Sequence, residues 1–199
     1  MPQPHYPAAI AAFDQANAED PNTERFAGVA YPKELLYAQR MSAMQERYAP
    51  EASEAVKLAV RAQHIQRWKS PRSDYPMDRP GYLQWRTGLY KFHAETAGKL
   101  MQQAGYDDAM IERVQIIISK KGLKTNAETQ LMEDIVGLVF IEHYLVGFAA
   151  GHPEYNEEKW LQIIRKTWLK MSPRAHEFTL AGHISLPQTL LPLILKAVQ

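Results

Sequence analysis

Cysteine is absent from all 199 residues. Disulfides, zinc–cysteine sites and thiol nucleophiles are therefore excluded, while the cellular compartment stays open. A dominant charge is also absent. Twenty-three Lys and Arg against 22 Asp and Glu leave a formal charge of +1, so no global field draws in nucleic acid or an anionic membrane. Neither is expected as a partner. Nor is there a long uninterrupted hydrophobic run. The longest, 135–140 extended by 144–150, is broken by Glu142 and His143 and reads as a buried helix, not a membrane span. The opening Met-Pro-Gln-Pro-His-Tyr-Pro lacks a basic region followed by an apolar core. No signal peptide is read there, and a cytoplasmic location is the expectation. Repeats, low-complexity stretches and linkers are missing too.

What is present suits an ordinary globular chain, with 46% hydrophobic and 23% charged residues, enough for one proper core. The pattern is helical almost throughout, so a single all-α domain over 1–199 is predicted. Helices are expected at 8–18, after Pro32, and around Val56, Val60 and Ile65, with His64 beside that stripe. Three prolines make 70–80 a loop. Further helices are expected at 83–103 and from Asp107 through the three isoleucines 116–118. Thr125-x-x-Glu128 reads as a capping box for a helix carrying Asp134 and Glu142, stopped at Gly151-His152-Pro153. The stretch 157–171 is amphipathic, 173–182 reads as a loop, and 187–198 as a short terminal helix.

Three side chains stand out. His64, His93 and Asp134 lie 29 and 41 residues apart on separate, apparently helical segments. Two imidazoles and one carboxylate can hold a divalent metal and leave positions for water or substrate. The plainer alternative is two half-buried histidines, with Asp134 paired to Arg67 or Arg86. Glu142, eight residues after Asp134, lies near the same helical face and suits a supporting group or a base.

A second feature is local charge. Between Lys57 and Lys91 there are eight basic residues and only Asp74 and Asp78 as acids. Arg67, Arg72, Arg79 and Arg86 are interleaved with Trp68, Tyr75, Tyr82, Trp85 and Tyr90. Guanidinium forks fit phosphate or carboxylate oxygens. A site for a small anionic or phosphorylated ligand is one reading; a proline-rich loop pinned by Arg–carboxylate pairs is the other.

The basic turn Lys120-Lys121-Gly122-Leu123-Lys124 can hold a phosphate or close a helix C-terminus. Lys170-Met171-Ser172 matches the Lys-Met-Ser loop of class I aminoacyl-tRNA synthetases, but the α/β pattern and His-x-Gly-His motif of those enzymes are missing, so it reads as coincidence. His176-Glu177 is no zinc-protease motif, because Leu180 stands where a second His is needed.

Two resemblances follow from these segments. Ala-Gln-His-Ile-Gln-Arg-Trp (62–68), Pro-Arg-Ser-Asp-Tyr-Pro (71–76), Arg-x-x-Tyr-x-x-Trp-Arg (79–86), Lys-Lys-Gly-Leu-Lys-Thr (120–125), Glu-Asp-Ile-Val-Gly-Leu-Val-Phe-Ile-Glu (133–142) and Lys-Met-Ser together resemble the domain of unknown function 4202 family. Some of its members carry a glutamyl-tRNA synthetase label that these residues do not support. More distantly, His64-x-x-Arg67-Trp68 resembles the opening motif of the HD superfamily of all-α metal phosphohydrolases. In that resemblance Asp134-Ile-Val-Gly-Leu matches the final Asp and its apolar run, and His93 matches the paired His. Ala94 stands where the paired Asp would be. Three outcomes remain open: a mononuclear site on His64, His93 and Asp134, a realigned site using Glu95 or Glu142, or a scaffold without metal.

The resemblance implies an HD-like hydrolase of a small phosphorylated or nucleotide substrate. Its cofactor would be a divalent metal such as Mn, Fe, Mg or Zn. Arg67, Arg72, Arg79, Arg86 and Lys121 would hold the substrate, and Glu95 or Glu142 would move protons. A two-His, one-carboxylate set also suits iron oxygenase chemistry. The rival is a non-catalytic module that binds an anionic ligand or a protein partner through 67–86. Nothing in the sequence sets the oligomeric state.

Overall fold

A computed structural model describes residues 5–198. The first four residues of the N-terminal stretch considered above lie outside them. The backbone divides into two compact units, Met1–Thr129 and Gln130–Gln199.

The first unit begins with α1 (His5–Ala18). A hairpin of β1 (Thr23–Phe26) and β2 (Val29–Pro32) follows, in antiparallel register with Phe26 opposite Val29. This hairpin fills the stretch left unassigned between the helices expected at 8–18 and after Pro32. Its two-residue loop, Ala27-Gly28, has φ of 48° and 82°, the double left-handed turn that matches strand twist. Pro32 ends β2 and is not in a helix. The following α2 (Lys33–Tyr48) gets no side-chain cap from Pro32. Instead Asp20 Oδ2 accepts the Glu34 N–H at 3.0 Å.

Ser53 caps α3 (Glu54–Ala62), whose Oγ accepts from Val56 N–H. Then α4 (Arg79–Gln103) starts four residues earlier than expected, because Asp78 caps it and Pro80 sits in its first turn, where a missing N–H costs nothing. As expected, Asp107 caps α5 (Asp108–Ile118) and the isoleucine triple is helical. Phe13, Met41, Met44, Leu58, Ile65, Met101 and Ile117 are fully buried among these helices.

The boundary between units falls within α6 (Ala127–Val139). The capping box is corrected here. Asn126 Oδ1, not Thr125, accepts the N–H groups of Glu128 and Thr129, while Thr125 donates to Gly122 O. Glu128 is taken by Arg113 and by the Ser53 hydroxyl.

In the second unit the expected single helix up to Gly151 is interrupted by a π-helical turn, Phe140–Tyr144, before α7 (Leu145–Ala150). The amphipathic α8 (Glu157–Trp168) buries Trp160, Ile164 and Trp168, at the spacing read from the sequence. The stretch expected as a loop holds α9 (Pro173–Leu180), started by a Ser172 cap and Pro173 in the first turn. Finally α10 (Leu191–Val198) packs on α8. Among the described residues no helix is long and apolar enough to cross a membrane.

Candidate functional site

In the first unit a pair of histidines is assembled by three elements. His64 is not on a helix: α3 ends at Ala62, and His64 stands in the turn that follows. That turn is forced. Gln66 is left-handed, with φ 50° and ψ 33°, a conformation that costs a non-glycine residue energy. The buried Asn17 on α1 holds it, accepting Gln66 N–H on Oδ1 at 2.9 Å. The chain doubles back, so that Arg67 faces His64, with its Nη1 3.3 Å from His64 Nε2.

His93, on α4, is 3% exposed. Its Nδ1 lies 2.9 Å from Ile65 O. A carbonyl only accepts, so Nδ1 carries the proton and Nε2 bears a lone pair. That buried Nε2 has no partner, which is costly unless something else uses it. Burial pushes the pKa of His93 down to about 3, with His64 adding to the effect, so the ring is neutral at pH 7.

The two rings lie 5.8 Å apart, tilted by 37°. An arginine can only donate, so His64 Nε2 is also a lone pair. Its Nδ1 faces Glu34 Oε2 at 3.4 Å. Tyr37 stacks on the ring at 4.2 Å and 17°. Desolvation holds the pKa of His64 well below its ordinary value, and Arg67, Lys120, Arg86 and Lys33 add to this. Both imidazoles therefore share one polarity: Nδ1–H toward a protein acceptor and Nε2 carrying a lone pair. Glu34 was missed by the sequence reading. It is 7% exposed, and burial pushes its carboxyl up to about 7 against the opposing pull of Arg67. Its only sequence signal is an acid in a helix's first turn, which is commonplace.

The expected arginines separate. Arg67 lies over the Trp85 ring at 5.0 Å, and its own pKa is lowered by desolvation. Arg86 donates to the Tyr90 hydroxyl one turn on and acts electrostatically on both Arg67 and His64. Arg72 pins the loop, donating to Tyr75 O and Asp78 O at 3.0 and 3.2 Å. The acceptors are backbone carbonyls, where the pinned-loop alternative had side-chain carboxylates. Trp85 Nε1–H donates to Ser70 O, and Gly81 lets Pro76 O come so close that a Cβ would lie 2.1 Å from it. Arg79 is exposed. Lys121 is exposed as well, and its N–H binds Ile116 O while Lys120 N–H binds Ile117 O. With Lys120 left-handed at φ 57°, this is the C-terminal cap of α5. Glu95 is exposed and faces Lys91 at 3.7 Å. Two residues past His93, it is about 200° around the helix from it.

The second unit explains two sequence motifs at once. Gln130, Glu133, Asp134 and Gly137 form one face of α6, and Lys170-Met171-Ser172 lies on it. Gln130 Nε2 donates to Lys170 O, and Lys170 Nζ is 3.9 Å from Glu133. Met171 fits against Gly137, where a Cβ would come within 2.7 Å of its Sδ. Asp134, 2% exposed, accepts from Gln130 Nε2, from Ser172 N–H at 2.7 Å and from Ser172 Oγ. Lys-Met-Ser is thus a helix junction in this chain. Glu142, in the π-helical turn, accepts Ser185 N–H at 2.8 Å and lies 3.3 Å from His143 Nε2.

Among the described residues no group of three or more His, Asp or Glu is arranged to hold a metal. The donor chemistry fits in part: two neutral imidazoles in the first unit, each with the tautomer a metal ligand needs. No curated protein and no solved structure matches the chain. A family model does, over residues 7–194, and the chain belongs to the domain of unknown function (DUF4202) family.

Proposed function

We propose that the first unit carries a metal-dependent hydrolytic site for a small phosphorylated substrate, with His64 and His93 as its imidazole ligands. The observation behind this is the buried, unpartnered Nε2 of His93, beside a second imidazole of the same polarity. A divalent metal bound there would supply a water acidic enough to attack at neutral pH. The chain's own groups do the rest. Ile65 O holds the proton of His93 on Nδ1. Arg67, braced on Trp85, turns its donors from His64 Nε2 to a phosphate oxygen. Lys33, Arg86 and Lys120, which already act on His64 electrostatically, favour an anion and disfavour an imidazolium.

The test is metal content. Tag-free protein from metal-supplemented cells is assayed by mass spectrometry, then offered a panel of phosphomonoesters and nucleotides. The expected result is near-stoichiometric Mn, Fe, Zn or Mg that is lost in His93→Asn, with hydrolysis lost alongside. Metal-free wild-type protein that takes up no metal on dialysis refutes the reading.

A second reading is favoured by Arg67 itself. Its desolvated guanidinium is suited to an anionic ligand without any metal. In a non-catalytic module, pyrophosphate would raise the Tm of wild-type protein in EDTA, and Arg67→Ala would abolish that rise.

A further inference from the structure

The two imidazoles reach the same polarity by different means. Ile65 O fixes His93 through the backbone. For His64, the Arg67 donor faces Nε2, and two side chains one turn apart on α2 meet the rest of the ring. Glu34 Oε2 is 3.4 Å from His64 Nδ1, and Tyr37 covers the ring face at 4.2 Å. We propose that Glu34 and Tyr37 are positioning residues for His64, Glu34 holding the Nδ1–H tautomer and Tyr37 the plane of the ring, with Nε2 presented to the ligand; this rests on the reading of His64 as a metal-binding imidazole.

Both groups are themselves held. Glu34 is anchored at the start of α2 by its N–H bond to the buried Asp20. Asp20 is fixed in turn by Asn22, whose N–H and side-chain amide both donate to Oδ1. Tyr37 donates its hydroxyl to Gln63 Oε1 at 2.7 Å, so it grips the residue before His64 as well as the ring. An ionised carboxylate only accepts, so it keeps the proton on Nδ1. A stacked phenol ring resists rotation of the imidazole plane. Burying a carboxylate is unfavourable, and an apolar residue would fill the position at lower cost to folding. A carboxylate behind a ligating histidine is a recurrent way to set its tautomer and raise its basicity.

The decisive measurement is the tautomer of His64 in metal-free protein, read from ring 15N shifts at pH 8.5. Wild-type protein should show Nδ1–H. With Arg67→Ala as the common background, so that no guanidinium faces Nε2, Glu34→Leu should shift the ring toward Nε2–H, and Tyr37→Leu should leave it Nδ1–H. Competition with a chromogenic chelator then measures Zn2+ binding. Glu34→Leu should weaken it ten- to a hundredfold, and Tyr37→Leu should weaken it by a smaller factor. A wild-type ring protonated on Nε2, or a ring unchanged by Glu34→Leu in the Arg67→Ala background, overturns the proposal, and the wild-type spectrum decides even if the variant does not fold. Unchanged Zn2+ affinity in Tyr37→Leu removes Tyr37 from it. Should wild-type protein bind no Zn2+ while Glu34 still sets the tautomer, the metal reading fails and the hold on the ring stands.

Discussion

Replacing His93 by Asn probes the central argument without any assumption about substrate. The Asn amide falls near the position of imidazole Nδ1 and can keep the hydrogen bond to Ile65 O. It deletes Nε2 and cannot be protonated. At pH 7.5 the smaller side chain leaves a gap at a site only 3% exposed, costing about 1–2 kcal/mol. In acid the order should reverse. Burial lowers the pKa of His93 from 6.5 to about 3, so below pH 6.5 the unfolded chain binds a proton that the folded chain refuses. Stability is then lost as pH falls from 6.5 toward about 3, at about 1.4 kcal/mol per pH unit. By pH 4.5 the wild-type protein should have lost about 3 kcal/mol from this one group, and His93→Asn none of it. Urea unfolding of EDTA-treated proteins at pH 7.5 and 4.5 measures both. The expected result is a wild type that is more stable at pH 7.5 and no more stable, or less so, at pH 4.5. A variant that loses as much stability as wild type over this range would refute the picture of a neutral, buried imidazole with a free lone pair.

Glu34 has the opposite sign. Its carboxyl is raised from 4.5 to about 7, so its contribution is fully present below 4.5 and is lost as pH rises through about 7. Glu34→Gln should remove that loss, gaining about 3 kcal/mol relative to wild type at pH 8 by the same unfolding assay. Asp134→Ala strips Ser172 and Gln130 of a shared buried acceptor, and should cost about 3 kcal/mol or more. Gly137→Ala, which drives a Cβ into Met171, should cost about 1–3 kcal/mol. Both are read from the Tm, and normal stability in either would show that Lys-Met-Ser does not hold this junction. Arg72→Ala removes two bonds across the loop. It should speed cleavage before Asp78 by an Asp-specific endoproteinase several-fold and leave metal content unchanged; an unchanged cleavage rate would show that Arg72 does not pin the loop.

Much of the fold was legible without coordinates. Apolar spacing of four set α8, Asp107 announced α5, and the helical flanks outweighed the β-branched isoleucine triple. These are local effects, decided by side chains within a turn or two. The misses are equally physical. Pro32 and Pro173 each suit either a break or a helix start, and a neighbouring strand or a Ser172 cap decides which. Ala27-Gly28 is a weak turn signal until strands form on both sides of it.

The candidate site divides in the same way. His64, His93 and Arg67 were identifiable because imidazole and guanidinium carry chemistry wherever they stand. The absence of cysteine also excluded thiol chemistry. The tertiary structure decided what each group can do. It put His64 in a strained turn held by Asn17, gave His93 an Ile65 carbonyl and an orphaned Nε2, and committed Arg72 to backbone carbonyls. It also brought in Glu34, 30 residues from His64 in sequence. Tautomer, protonation and burial depend on partners that are distant along the chain, so no local pattern of residues encodes them.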